Sequence, residues 1–358
     1  MSWGSNLYGQ LGDSTRTTRL VATSASGLSG AIAIAAGSSH GLAVKSDGTV
    51  WAWGDNHVGQ LGDGTTTMRI APVQASGLTG VSSVSAGTNH SLALKRDGTV
   101  WAWGDNLLNQ IGDGTATQRL APVAVVGLTG VVAIAAGALH SLAVKSDGTV
   151  WSWGDNLYGE LGDGTTQGRS VPAKVVGLSG VVAIAAGSGA GYSLVVKSDG
   201  TVWAWGDNSY GQLGDGTTSS SRIPGSQRLA PVQVSGLSGV SSVAAGGYHS
   251  HAVKSDGTVW SWGANSYGQL GDGTATQRLV PVQVSGLSGV SGVAAGGIHS
   301  LALKSDGTVW SWGYNNDGEL GDGTKTQRLA PVQVNGLSGV TKIAAGSGGT
   351  GGEHSLAL

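Results

Sequence analysis

Short apolar runs alternating with small or polar residues recur along the whole chain. Glycine-containing turns separate them, and the 3.6-residue period of a helix is sustained nowhere. The order of the runs repeats. Trp-Gly steps fall at Trp3, Trp53, Trp103, Trp153, Trp205, Trp262 and Trp312, with spacings of 50, 50, 50, 52, 57 and 50 residues, so the chain holds seven units. Each reads approximately VxxVAAGxxHSLALKSDGTVWAWGDNxxGQLGDGTxTxRLxPVQVSGLSG.

Four strands are predicted per unit. Strand A is the small-residue run, such as Val131 to Gly137, which suits a crowded place near an axis. Strand B is HSLAL, with Leu142 and Val144 on one face. Strand C is VWAWG, where Trp51 and Trp53 share a face opposite Ala52. Strand D is the short PVQV run, whose leading proline fits an edge or a strand start. Asp-Gly between B and C, as at Asp47-Gly48, supplies the positive φ of a tight hairpin.

Sheets that are apolar or small on both faces pack face to face around an axis, which predicts an all-β, seven-bladed β-propeller of four-stranded antiparallel blades. The chain starts in strand C, at SWG, and stops at the end of strand B, at HSLAL. One blade is therefore expected to be shared between the termini, with Met1 beside Leu358, and to close the ring. The expected blades are 31-75, 81-125, 131-176, 181-234, 240-284, 290-334, and 340-358 with 1-25, forming one domain over residues 1-358.

Composition removes other classes. Glycine accounts for 65 of 358 residues without a three-residue period, and 39% hydrophobic content with 13 Trp can fill a core, so neither collagen nor a low-complexity chain fits. No stretch approaches the ~18 apolar residues of a membrane helix, and the first residues, MSWGSNLYGQ, lack the pattern of a secretory signal. There is no cysteine, which rules out disulfides and thiolate chemistry.

The combination Gly-x-x-His-Ser, Asp-Gly, Trp-Gly-x-Asn-x-x-Gly-Gln-Leu-Gly and Pro resembles the repeat of the regulator of chromosome condensation family, over the whole chain. That resemblance implies a seven-bladed propeller, and here a bacterial-type member. Tasks in the family are diverse: a chromatin-bound nucleotide exchange factor for a small GTPase, a plant ultraviolet-B photoreceptor, and a secreted bacterial inhibitor of β-lactamases. The photoreceptor's tryptophans sit on the Gly-x-x-His corner, whereas all 13 Trp here lie in strand C. The exchange factor's basic tail is absent, and the insertion at 219-225 is short for its wedge.

Charge adds little that the repeat does not explain. Net charge is −2, and most charged residues are repeat positions. Lys and Asp recur in the B–C turns, while Asp13, Asp63, Asp113, Asp163, Asp215, Asp272 and Asp322 accompany Arg19, Arg69, Arg119, Arg169, Arg228, Arg278 and Arg328 in the C–D loops. The latter read as loop-internal ion pairs, and without a basic stripe nucleic-acid binding is not expected.

His40, His90, His140, His249, His299 and His354 open strand B in six units and Tyr192 does so in the other. Each lies in a different blade, so a metal site is not expected; their ring nitrogens are expected to bond backbone at the A–B corner. His251 replaces a leucine and reads as half-buried. GDNxxGQLGDGT lacks the ligand spacing of a calcium loop and reads as side chains stapling their own backbone. No catalytic triad, carboxylate pair or phosphate loop assembles, so neither enzymatic activity nor a cofactor is expected.

Function should lie where the units differ. KSDGT and SGLSG recur nearly unchanged on the B–C/D–A side, whereas residue identity and length vary at the A–B and C–D tips. Tyr8, Leu107, Leu108, Tyr158, Tyr210, Tyr248, Tyr267 and Ile298 lie at those tips and form the expected partner-binding set. The expected function is a non-enzymatic, monomeric interaction module with a protein partner and no nucleic-acid or membrane contact. Two alternatives stand beside it: a guanine nucleotide exchange factor for a small GTPase, and a purely structural or engineered repeat.

Overall fold

The structure, a computed structural model, describes residues 1–219, 227–347 and 352–358. Most of the insertion at 219–225, and most of the five extra residues at 348–352 in the last unit, lie outside the described residues. Among the described residues there are 28 strands and no helix, arranged as seven four-stranded sheets.

One blade shows why the repeat folds as it does. Its strands are A, Ala31–Ala36; B, His40–Lys45; C, Val50–Gly54; and D, Arg69–Gln74, each antiparallel to the next in chain order. Strand A of every blade borders a central channel of about 380 Å³ lined by residues such as Ile34, Ala35 and Ala36. Each blade contributes one Ile or Val and two small residues, alanine or serine, where the seven strands converge. The B–C hairpin is closed by Gly48 at φ 80°, with Asp47 Oδ1 accepting from Thr49 N–H at 2.9 Å. Gly48 O in turn accepts from Val81 N–H of the next blade at 3.0 Å, so the sequence constancy at this end has a structural cause.

Strand D departs from the expectation. It starts at Arg69, three residues before Pro72, rather than at the proline. The register breaks between the Ala52↔Val73 and Gly54↔Arg69 pairs, and the proline, having no N–H, occupies the interruption on the outermost strand.

Blade packing rests on the two strand C tryptophans. Trp103 is fully buried against Leu42, Val44, Val50 and Ala52 of the preceding blade, and Trp101 packs beside it. Burying an indole removes on the order of 200 Å² from water, worth about 5 kcal/mol at ~25 cal/mol per Å² before entropy. Trp103 Nε1 also donates to Gln60 O of that blade at 2.9 Å.

The termini close the ring. Ser2, Trp3 and Gly4 pair with Leu356, Ser355 and His354, Ala357 N–H donates to Met1 O at 2.9 Å, and the completed sheet runs Ile343–Ala345, His354–Ala357, Ser2–Gly4, Arg19–Thr23.

Candidate functional site

The A–B and C–D tips form one face because backbone bonds tie them together. Asp55 N–H donates to Ser39 O at 2.9 Å, Ala264 N–H to Tyr248 O at 2.9 Å, and Tyr314 N–H to Ile298 O at 3.1 Å. Within each C–D loop an asparagine acts as the staple. Asn265 Nδ2 donates to Asp272 Oδ1 and Thr274 O, while its Oδ1 accepts from Leu270 N–H at 3.0 Å. The Asp/Arg pairs are ion pairs within the loops, as at Asp63–Arg69, 2.7 Å. Asp63 is held below the usual carboxylate range by Thr65, Arg69 and Asn56 despite the opposing effect of burial.

The histidines behave differently from the expectation. In five of the six the Nε2 atom meets a serine hydroxyl of the next blade, as His40 does Ser91 at 3.1 Å, His90 Ser141 at 3.0 Å and His140 Ser193 at 3.0 Å; His354, which faces Gly41, has no such partner among the described residues. The serine that follows every one of these histidines except His40, which precedes Gly41, donates to a carbonyl of the preceding blade, as Ser91 Oγ does to Gln60 O at 2.8 Å. A backbone contact is therefore replaced by an interblade relay. His251 is fully buried rather than half-buried, and it shares Ser300 Oγ with His249. Gly-x-x-His spacing has a steric cause: a Cβ on Gly37 would lie 2.2 Å from His40 Cε1.

Four of the eight proposed contact residues come together. Tyr210, Tyr248, Tyr267 and Ile298, with Ala264, Ser266 and Gln269, line a cavity of about 290 Å³ drawn from three successive blades. Tyr210 and Tyr248 meet edge to face at 5.0 Å, and Tyr267 meets Tyr314 at 5.2 Å. Burial, then the charges of Tyr210 and Asp207, raises the Tyr248 pKa; Tyr158 is not among the residues that line the cavity. Tyr8, Leu107 and Leu108 stand exposed elsewhere on the C–D tips, Leu107 at 74%, and neither share the cavity nor make a ring contact among the described residues.

Sequence comparison of the units missed two features. Tyr314 occupies the position held by Asp55, Asp105 and Asp207 in other units, a signal present in the repeat alignment. Val126, Val132, Val176 and Val182 are also exposed. Val126 and Val176 stand where other D–A turns have serine or asparagine, so the B–C/D–A end is less uniform than expected.

Three buried carboxyls lie at the A–B/C–D end. Burial pushes Glu160 and Glu319 up to about 7, and Glu353, bonded to His299 Nδ1, is also raised by burial. Among the described residues no group of three or more His, Asp or Glu is placed to hold a metal ion, and no helix is long and apolar enough to cross a membrane.

A closed ring of seven near-identical blades, with variation concentrated at its loop tips, defines a repeat-built β-propeller. The chain belongs to the regulator of chromosome condensation family. Residues 1–241 match the RCC1-like domain, and residues 256–303 and 306–358 match the regulator of chromosome condensation (RCC1) repeat. A 90-residue segment is 40% identical to the human E3 ubiquitin-protein ligase HERC2, taking in 25% of this chain and 2% of that protein. Human WBSCR16 superposes with a TM-score of 0.83 at 26% identity, covering 100% of this chain and 97% of the other. Yeast RCC1 (Prp20), from its complex with Kap60, superposes with a TM-score of 0.86 at 23% identity, covering 100% and 88%. These relatives are eukaryotic, and the expectation of a bacterial-type member finds no support in them.

Proposed function

We propose that the protein is a non-enzymatic module that binds a protein partner through its A–B/C–D face. Tyr210, Tyr248, Tyr267 and Ile298 form the centre, with Tyr8, Leu107, Leu108 and Tyr158 further round the ring. One observation carries this reading: three blades converge on an aromatic-walled cavity that the repeat itself does not generate. Tyr210 and Tyr248 remain 45% and 39% exposed despite their mutual contact, and exposed aromatic clusters are favoured at interface centres. Yeast RCC1 (Prp20) is described as bound to Kap60 and as having binding properties to Gsp1p and histones, which accords with a protein partner here.

The test is capture of partners from source-cell extract by the parent, by Tyr210→Ser/Tyr248→Ser/Tyr267→Ser, and by Val126→Ser/Val176→Ser at the opposite end. Circular dichroism first establishes that all three are folded. A partner retained by the parent and the valine variant but lost by the tyrosine variant supports the proposed face. The reverse pattern moves the contact to the other end. Acceleration of nucleotide release from a small GTPase by catalytic amounts of the protein would instead favour exchange activity.

A further inference from the structure

In three blades the same carboxylate is held by the same two donors. Asp55 accepts from His57 N–H at 3.3 Å and from Gln60 Nε2 at 3.0 Å. Asp105 accepts from Leu107 N–H at 3.2 Å and Gln110 Nε2 at 3.0 Å, and Asp207 from Ser209 N–H at 3.1 Å and Gln212 Nε2 at 2.9 Å. In the fifth blade that repeat position is Ala264, while both donors are kept as Ser266 N–H and Gln269 Nε2.

Neither donor has an acceptor among the described residues. Gln269 is 2% exposed. Its Oε1 accepts from Tyr267 N–H at 2.9 Å, as Gln60 Oε1 does from Val58 N–H at 3.0 Å. This fixes the amide so that Nε2 points to the place of the missing carboxylate. That place opens into the tyrosine-walled cavity of about 290 Å³, which Ala264, Ser266 and Gln269 all line.

We propose that this cavity is a binding site for an organic carboxylate on an apolar or aromatic stem. Its two oxygens take the donors that an aspartate takes in the sister blades, and its stem packs on Tyr210, Tyr248, Tyr267 and Ile298. The Gln269 amide donor borders the cavity without a protein acceptor among the described residues, and a carboxylate makes a stronger, charge-assisted bond than a neutral group there, in a site partly closed to water. The neighbouring Asp207 is no obstacle in principle, because Asp55 and Asp105 already occupy this position in adjacent blades. The proposal deepens the reading of this face as the contact surface and rests on it: the carboxylate is either a free acid or an acidic side chain presented by the partner.

The probes are sodium benzoate, benzyl alcohol, acetyl-Phe-Glu-amide and acetyl-Phe-Gln-amide, titrated into the isotopically labelled protein while the Ser266 backbone and Gln269 side-chain amide resonances are followed. Benzoate or the acidic dipeptide should shift both resonances saturably, and the neutral counterparts should bind about tenfold more weakly or worse. Whichever acid saturates first identifies the source, and either order supports the site. Ala264→Asp, which installs the sister blades' own residue, should abolish the shifts. Gln269→Met, which leaves residue 264 untouched, should weaken them. Absence of saturable shifts with both acids, or undiminished acid binding by a folded Ala264→Asp protein, overturns the proposal. If the acids fail but partner capture still depends on the tyrosines, the site is wrong and the contact face stands.

Discussion

His40 Nε2 lies 3.1 Å from Ser91 Oγ across the boundary between two blades, and Ser91 passes the bond on to Gln60 O. His40 is fully buried and its Nδ1 has no partner, so among the described residues Ser91 supplies the only side-chain partner of the ring. Ser91→Ala should therefore leave both ring nitrogens unpaired and cost about 1–3 kcal/mol. Urea unfolding midpoints of parent and variant measure this; an unchanged midpoint would show that the relay contributes nothing to blade cohesion.

Gly87 tests the steric side of the same corner. A Cβ there would lie 2.4 Å from both Gly137 O and His90 Cε1, and neither backbone nor a buried ring can yield cheaply. Gly87→Ala should destabilise by more than about 2 kcal/mol. Thermal unfolding by circular dichroism reads the loss directly.

Acid should weaken the ring. Burial lowers the pKa of His40, His90 and His251 to about 3 and of His140 and His354 to about 4, against about 6.5 when unfolded. Each contributes stability that is fully present above about 6.5 and is lost as pH falls through the folded value, because the unfolded chain takes up the proton first. Glu160 and Glu319 act in the opposite sense, contributing stability that is present below 4.5 and lost as pH rises through about 7. The five histidines outnumber these two carboxyls, so unfolding midpoints should rise between pH 4.5 and 6.5.

Glu160 isolates the opposing contribution. Burial is the main cause of its raised pKa, with Asp155 and Asp207 adding repulsion. Glu160→Gln restores the residue that donates to Asp55 in a sister blade. At pH 8 it should stabilise by about 1–3 kcal/mol, with a smaller gain at pH 5, where the native glutamic acid is protonated. Paired denaturation curves at the two pH values check both the sign and the difference.

Ring closure depends on His354–Ala357 pairing with Ser2–Gly4 and Ile343–Ala345. Removing residues 354–358 should expose the edge of Ser2–Gly4 and the face of Trp3, lowering the melting temperature and broadening the transition. Calorimetry distinguishes this from a cooperative ring that tolerates an open seam.

Much of this architecture was legible in the sequence because each signal is local and repeated. The Trp spacing gave the unit count, Asp47-Gly48 gave the hairpin, and the offset between SWG and HSLAL gave the shared blade. The candidate face followed from comparing unit with unit. Interactions across blade boundaries were not legible in that way. Ser91 is an ordinary strand residue until the next blade places it on His40, and its role needs two units 51 residues apart in register.

Sequence alone determined the seven units, their strands, the Asp63–Arg69 type of loop pair and the identity of the variable tips, since hydrophobic period, turn chemistry and short-range pairing act within one unit. Tertiary structure decided the convergence of Tyr210, Tyr248, Tyr267 and Ile298 on one cavity. It also decided the aim of Gln269 at the space left by Ala264. Both depend on the angle at which three separate blades meet, and that angle is set by packing around the whole ring rather than by any local run of residues.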